Sequence, residues 1–255
     1  VTSPPSAAAA HAVGPVLGPT AFRRLQVFSP GATIGPSRTA SIAAELAQAM
    51  PDLRIEALFE ARPDLLSEAE HVIVAVDGED RAVGLLAARS LELPGGVSVL
   101  QAMVQFVGVN QRGGRVLRES WTRLLGDVTA ERGFPDVVAL KTFNPVAYCA
   151  MRALGRSDQV YPALSGPQEP GLRLIASHIA AAAAADYPFE PDTGVIRGSG
   201  RPTDLYLRRP ESSDPEADRY FAAHARHGDR VLCLVQFGGA DAAERIHAGL
   251  RAGPG

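Results

Sequence analysis

"MVQFVGVNQRGGRVLRESW", Met103 to Trp121, joins an apolar run to a helical one through two glycines set between two arginines. Met103 to Val109 has the β-branched and aromatic content of a strand, while Val116, Trp121, Leu124, Leu125 and Val128 recur behind it at helical spacing. A strand that ends in glycines and enters a helix presents unpaired backbone N–H groups where the helix dipole is positive. Such a turn suits a phosphate or pyrophosphate. Gly113 and Gly114 permit positive φ or close approach, and Arg112 and Arg115 offer charge-assisted hydrogen bonds. A plain glycine turn with solvated arginines is the alternative on these residues alone.

Working upstream, "HVIVAVDGEDRAVGLLAARSLEL" reads as two strands joined by an acidic, Gly-bearing turn, and "GGVSVLQAMVQFVGV" adds a third. An antiparallel meander therefore precedes the turn, which excludes the dinucleotide fingerprint of a parallel βαβ unit. Arg115 and Val116 stand where a P-loop needs Lys and Ser or Thr, so that loop is excluded too. Before the meander, "SRTASIAAELAQAM" and "RPDLLSEAE" read as helices, and residues 1–20 as a tail too poor in periodic apolar residues to order itself. After the turn come the strand "PDVVALKTF" and the helix "NPVAYCAMRALG", with Asn144 as N-cap and Pro145 at its first position. From Leu164 the expected elements are the helix "LRLIASHIAAAAAADY", a short strand within "GVIRGSGRPTDLYLRR", the strand "DRVLCLVQFGG" and a last helix.

The 255 residues are 46% hydrophobic and 21% charged, enough for a sizeable core. A net charge of -3 offers no basic field for a nucleic acid. No apolar stretch reaches the roughly 20 residues of a membrane span, and nothing reads as an export signal, so the expected compartment is the cytoplasm. Cys149 and Cys233 lie far apart in apolar surroundings and read as core residues; no metal site is expected. His224 and His227 have helical spacing without a carboxylate to match, and His178 stands alone. Lys141 is the chain's one lysine among arginines, which suggests a GC-rich, actinobacterial coding sequence. Its compact ammonium suits a substrate carboxylate; a single retained codon at an exposed position is the other reading.

Two helices, a meander, a glycine-arginine turn into a helix, a strand, then an Asn-started helix: this order resembles the GNAT acetyltransferase superfamily. The family's acyl-CoA loop, Q/R-x-x-G-x-G/A, is matched at Gln111 and Gly114, with Val116 in place of the small residue. Its N-x-x-A-x-x-x-Y-x-x-x-G helix is matched at Asn144, Ala147 and Gly155, with Met151 at the tyrosine position. The resemblance implies an α/β fold with a mixed, mostly antiparallel sheet flanked by helices over residues 21–163, and a C-terminal α/β extension over 164–255 that completes or is appended to it. It implies acetyl-CoA or another acyl-CoA as co-substrate. The pyrophosphate would lie on Gln111, Arg112, Gly113, Gly114, Arg115 and Val116. Pantetheine would lie between the strands near Val107, Val109 and Asn144, and backbone N–H groups near Val107 would receive the oxyanion.

In that family the tyrosine commonly protonates the departing thiolate. Tyr148, one turn before Met151, is the substitute, and Asn144 joins it as a catalytic candidate. The central strand carries Gln101 and Gln105 and no acid, which leaves Glu92, Glu60 or a C-terminal residue as base. The expected activity is acyl transfer to a small-molecule amine, with a homodimer left open. A catalytically degenerate acyl-CoA-binding or protein-interaction module is the alternative.

Overall fold

In the computed structural model, which describes residues 21–154, 159–238 and 242–252, the expected meander is present as β2 (His71–Asp77), β3 (Ala82–Leu93) and β4 (Val97–Val107). The expected tail and Gly155 lie outside the described residues. β1 (Phe22–Phe28) pairs antiparallel with β2 at the sheet edge, where Arg23 and Arg24 mask its apolar alternation. β5 (Val137–Thr142) pairs parallel with β4, and β9 (Arg230–Gln236) antiparallel with β5. β8 (Val195–Ile196) and β7 (Phe189–Glu190) extend the sheet beyond β9, while β6 (Val160–Tyr161) also pairs with β9. The sheet is thus mixed and mostly antiparallel. Since β9 lies directly on β5, the chain after residue 163 continues the same sheet.

Helices cover both faces. α1 (Pro36–Ala49), α2 (Ile55–Ala61) and α5 (Pro170–Ala183) pack on one, which also carries Leu85, Ala87, Val99, Ala139 and Leu232. α3 (Arg115–Arg132), α4 (Pro145–Arg152), α6 (Pro215–His224) and α7 (Ala242–Ala252) cover the face of Leu86, Leu100, Val138, Leu140 and Cys233. The stripe expected on α3 is fully used: Val116, Trp121, Leu124, Leu125 and Val128 are all buried, each contributing about 1.5–3 kcal/mol. The stretch "RPDLLSEAE" corrects the reading upstream, because it is a run of turns. The helix precedes it, as α2, and Pro63 falls just past its end.

One irregularity creates the opening in this sheet. The register of β3 on β4 jumps from Ala87↔Val104 to Ala88↔Ala102, so Met103 is an extra residue. A bulge bends its strand. The parallel pairing of β4 with β5 stops at Ala102↔Leu140, although β4 runs on to Val107. Past that point the two strands part, and the β4 edge that faced β5 has no ladder partner among the described residues.

Candidate functional site

Two cavities meet where β4 and β5 part. The first, about 720 Å³, is walled by the end of α1, the turn before α3, α4 and residues 207–211. The second, about 420 Å³, lies on the α2 and α5 side. Gln105, Phe106, Asn144, Ala147 and Tyr206 line both and form a neck between them.

Each neck residue is placed by local chemistry. Gln105 accepts a hydrogen bond from Trp121 Nε1 at 2.8 Å, which ties β4 to α3. Asn144 caps α4, accepting from Val146 N through Oδ1 at 2.9 Å, and its own N–H donates to Thr142 Oγ1. With Oδ1 occupied, Asn144 has its amide NH₂ left to offer the neck. Ala147 follows one turn of chain later, and its small side chain leaves the passage open. Tyr206 comes from the C-terminal part of the chain and is held at Leu53 by an isolated bridge and against Phe143, ring centroids 5.8 Å apart. Burial raises the Tyr206 phenol above its ordinary pKa, so it keeps its proton.

At the turn before α3, Gly113 has φ +73, the left-handed region that favours glycine, and Gly114 is the N-cap. The first-turn N–H groups of Arg115, Val116 and Leu117 have no acceptor among the described residues. Val107, Gln111, Arg112 and Gly113 line the larger cavity, together with Leu117, while Val109, Gly114, Arg115 and Val116 do not. The two flanking arginines are both ion-paired within the chain, Arg112 with Asp52 at 2.7 Å and Arg115 with Glu119 at 2.7 Å.

The structure places the side chains of two candidates away from both cavities. Val116 is 1% exposed and packs with Ala75 and Val83, so its side chain is core. Gly84 makes this possible, because a Cβ there would stand 2.8 Å from Val116 Cγ1. A residue larger than the resemblance implies is thus accommodated by a glycine on the facing strand. Tyr148 is 2% exposed, packs on Phe221, and donates its hydroxyl proton to Pro162 O at 2.9 Å. It lines neither cavity, so its phenol is a structural group and not a proton donor for the neck. Met151 is likewise buried in the same core.

Glu92 and Glu60 are exposed and also line neither cavity; the carboxylates that do are Asp52, Asp64, Glu68 and Glu211. Cys233 is buried and burial pushes its thiol well up, as it does to a lesser degree for Cys149. His224 and His227 lie against the rings of Tyr220 and Phe143. Sequence reasoning missed Tyr206 and Asp52. A lone tyrosine in "DLYLRR" belongs to no pattern, and Asp52 after Pro51 reads only as a helix stop.

No family model matches the chain, and no curated protein does. Solved structures similar to it include GNAT-family acetyltransferases. One, a GNAT-family N-acetyltransferase from Escherichia coli in complex with CoA, is 18% identical, with a TM-score of 0.39 over 52% of this chain and 69% of its own. A GNAT-family acetyltransferase from Staphylococcus aureus Mu50 is 12% identical, with a TM-score of 0.37 over 58% and 88%. An aminoglycoside acetyltransferase from an uncultured soil metagenomic sample, in complex with sisomicin, is 16% identical, with a TM-score of 0.34 over 47% and 76%. Likenesses of this size say what the chain resembles and carry no weight in assigning its chemistry.

Proposed function

We propose that the protein transfers an acyl group, acetyl in the first instance, from coenzyme A to the amine of a small molecule. The observation that carries this reading is the pair of cavities joined at one neck on an opened sheet. A thioester held in the larger cavity presents its carbonyl at the neck, and an amine held in the smaller one meets it there. Two features support a CoA there: a groove beside the edge of β4 for pantetheine, and, at the cavity's rim by Gly113 and Leu117, the turn whose adjoining first-turn N–H groups would receive pyrophosphate.

Addition of the amine to the thioester carbonyl forms a tetrahedral oxyanion, which the free N–H groups of β4 and the Asn144 amide are placed to receive. Collapse expels the thiolate, and Tyr206 gives it a proton. The amine's proton leaves through one of the four lining carboxylates, each tested by its amide variant.

The decisive experiment pairs CoA calorimetry with thiol release from acetyl-CoA over an amine panel, for the parent protein and for Ala147→Trp and Tyr206→Phe. An indole at position 147 fills the neck, and turnover falls by about 100-fold or more, while CoA binding in the larger cavity persists. Tyr206→Phe lowers kcat with acetyl-CoA affinity unchanged. CoA binding without turnover of any amine supports the acyl-CoA-binding module instead.

A further inference from the structure

The smaller cavity has an electrostatic character that acyl transfer to an amine does not by itself require. Its lining includes four cations, Arg62, Lys141, Arg201 and Arg230, and two carboxylates, Asp64 and Glu68. Both carboxylates are exposed, whereas Lys141 and Arg230 are half-buried. Strand parity explains the concentration. Lys141 follows Ala139 by two residues and Arg230 precedes Leu232 by two, so both project from the α5 face, where Arg89 precedes Leu91. β5 and β9 thus each turn a cation toward this cavity, Arg89 stands on the same face of the sheet outside its lining, and Arg62 joins from the end of α2.

Their own partners leave most of this charge uncompensated. Lys141 donates to Ala183 O at 3.0 Å and has two further N–H groups; the charges acting on it, from Arg62, Arg89 and Arg230, are all positive. Arg89 is bonded to the neutral amide of Gln101. Arg201 lies over the ring of Tyr187, 5.8 Å from its centroid. Arg62 reaches Glu68 only at 3.4 Å.

Arg230 is held by shape. Its guanidinium lies against Gly200, where a Cβ would come within 2.1 Å of Nη1 and 2.4 Å of Cζ, and Gly200 N donates to Gly228 O at 2.8 Å to fix that wall. Arg230 Nη1 donates to the Asp229 backbone carbonyl at 2.7 Å, and no carboxylate lies within salt-bridge distance among the described residues. Like charges gathered in a half-buried space disfavour the fold unless an anion joins them.

We propose that the acceptor is an acidic amine, one whose carboxylate or phosphate is held by Lys141 and Arg230, with Arg62 and Arg201 at the cavity wall, while its amine stands at the neck. This rests on the acyltransferase reading for the amine, and on the cavity alone for the anion. Burial, followed by the charges of Arg62, Arg89 and Arg230, lowers the Lys141 pKa to about 8. An anion bound beside it raises that value again, so binding near pH 8 takes up a proton.

The test measures thiol release with acetyl-CoA for the amino acids and aminoalkyl phosphates, each beside its neutral amide or alcohol. Acids are expected to exceed their neutral counterparts by about tenfold or more in kcat/KM; whether carboxylates or phosphates lead identifies the group. Lys141→Met and Arg230→Gln should each raise KM for the acid by about tenfold, with the Kd for CoA within twofold of the parent. Calorimetry of the best acid at pH 8, in buffers of different ionisation enthalpy, should show proton uptake that Lys141→Met abolishes. Equal use of neutral amines, turnover of no acid in the panel, or loss of CoA affinity in these variants overturns the proposal. Failure of the parent to bind CoA falls on the acyltransferase reading instead, and the anion site is then judged by calorimetry of the same amino acids and of inorganic phosphate: binding lost in both variants upholds it, and no binding overturns it.

Discussion

Arg197 and Arg230 are near neighbours in the sheet, since Ile196 pairs with Arg230 across β8 and β9, yet they live in opposite surroundings. Arg197 donates to both oxygens of Glu190, at 2.6 and 2.8 Å, to Asp229 Oδ2 at 2.7 Å and to His224 O at 2.8 Å. Those bonds, Glu190's first, raise its pKa. Arg230 has a carbonyl and a glycine wall, and burial lowers its pKa. The first arginine closes the fold with carboxylates that answer its charge. The second faces a cavity, with a single backbone carbonyl accepting from its five donors among the described residues.

The strongest way to break this contrast is Arg197→Met. It leaves Glu190 and the 6%-exposed Asp229 without their cation, and is expected to cost about 3 kcal/mol in urea unfolding. A cost near zero would erase the distinction. The same variant carries a pH signature. The Glu190 carboxyl is held below its ordinary range by Arg197; that of Asp229 is held low, against the burial that opposes it, by the N–H groups of Gly198 and Arg226 and by Arg197. Depressed carboxylates stabilise fully above their unfolded pKa of about 4 and lose that contribution as pH falls through the folded value. The gap between parent and variant should therefore narrow in acid.

Lys141 gives the opposite window. Its folded pKa of about 8 lies below the ordinary 10.5, so between those values the unfolded chain binds more protons and stability rises with pH. Lys141→Met should flatten that alkaline rise in denaturation midpoints measured from pH 7 to 10.5. The smallest effect is expected for Arg230→Met, which removes an unanswered charge and keeps much of the apolar stem. Stability should move by less than about 1 kcal/mol, in either direction. A loss as large as that of Arg197→Met would show that Arg230 belongs to the frame.

How much of this was legible in the sequence follows from the range over which each feature is encoded. The meander, α3 and the Asn144 cap are written in local alternation, 3.6-residue spacing and cap chemistry, and all are present. The glycine turn is likewise local, and Val107, Gln111, Arg112, Gly113 and Asn144 line the larger cavity. Tyr148 misled because helix geometry sets which residues share a face, while the β6 region and α6 decide whether that face meets a cleft or a core. Val116 reads as a departure only until Gly84, on another strand, is placed opposite it. Tyr206 and Arg230 are brought to the neck and to the smaller cavity by a strand order in which β9 crosses over to lie on β5. That crossover has no periodicity to betray it.

Under the proposed acyl transfer, the neck at Ala147 would also govern the order of events in the cycle. A thioester in one cavity and an amine in the other would bind without either having to leave first, and initial-rate lines for the two substrates are then expected to converge instead of running parallel. On that reading, abundant acceptor would refill its cavity while CoA still occupied the other, and the dead-end pair would slow turnover: inhibition by excess acceptor that raising acetyl-CoA does not relieve is the expected kinetic mark.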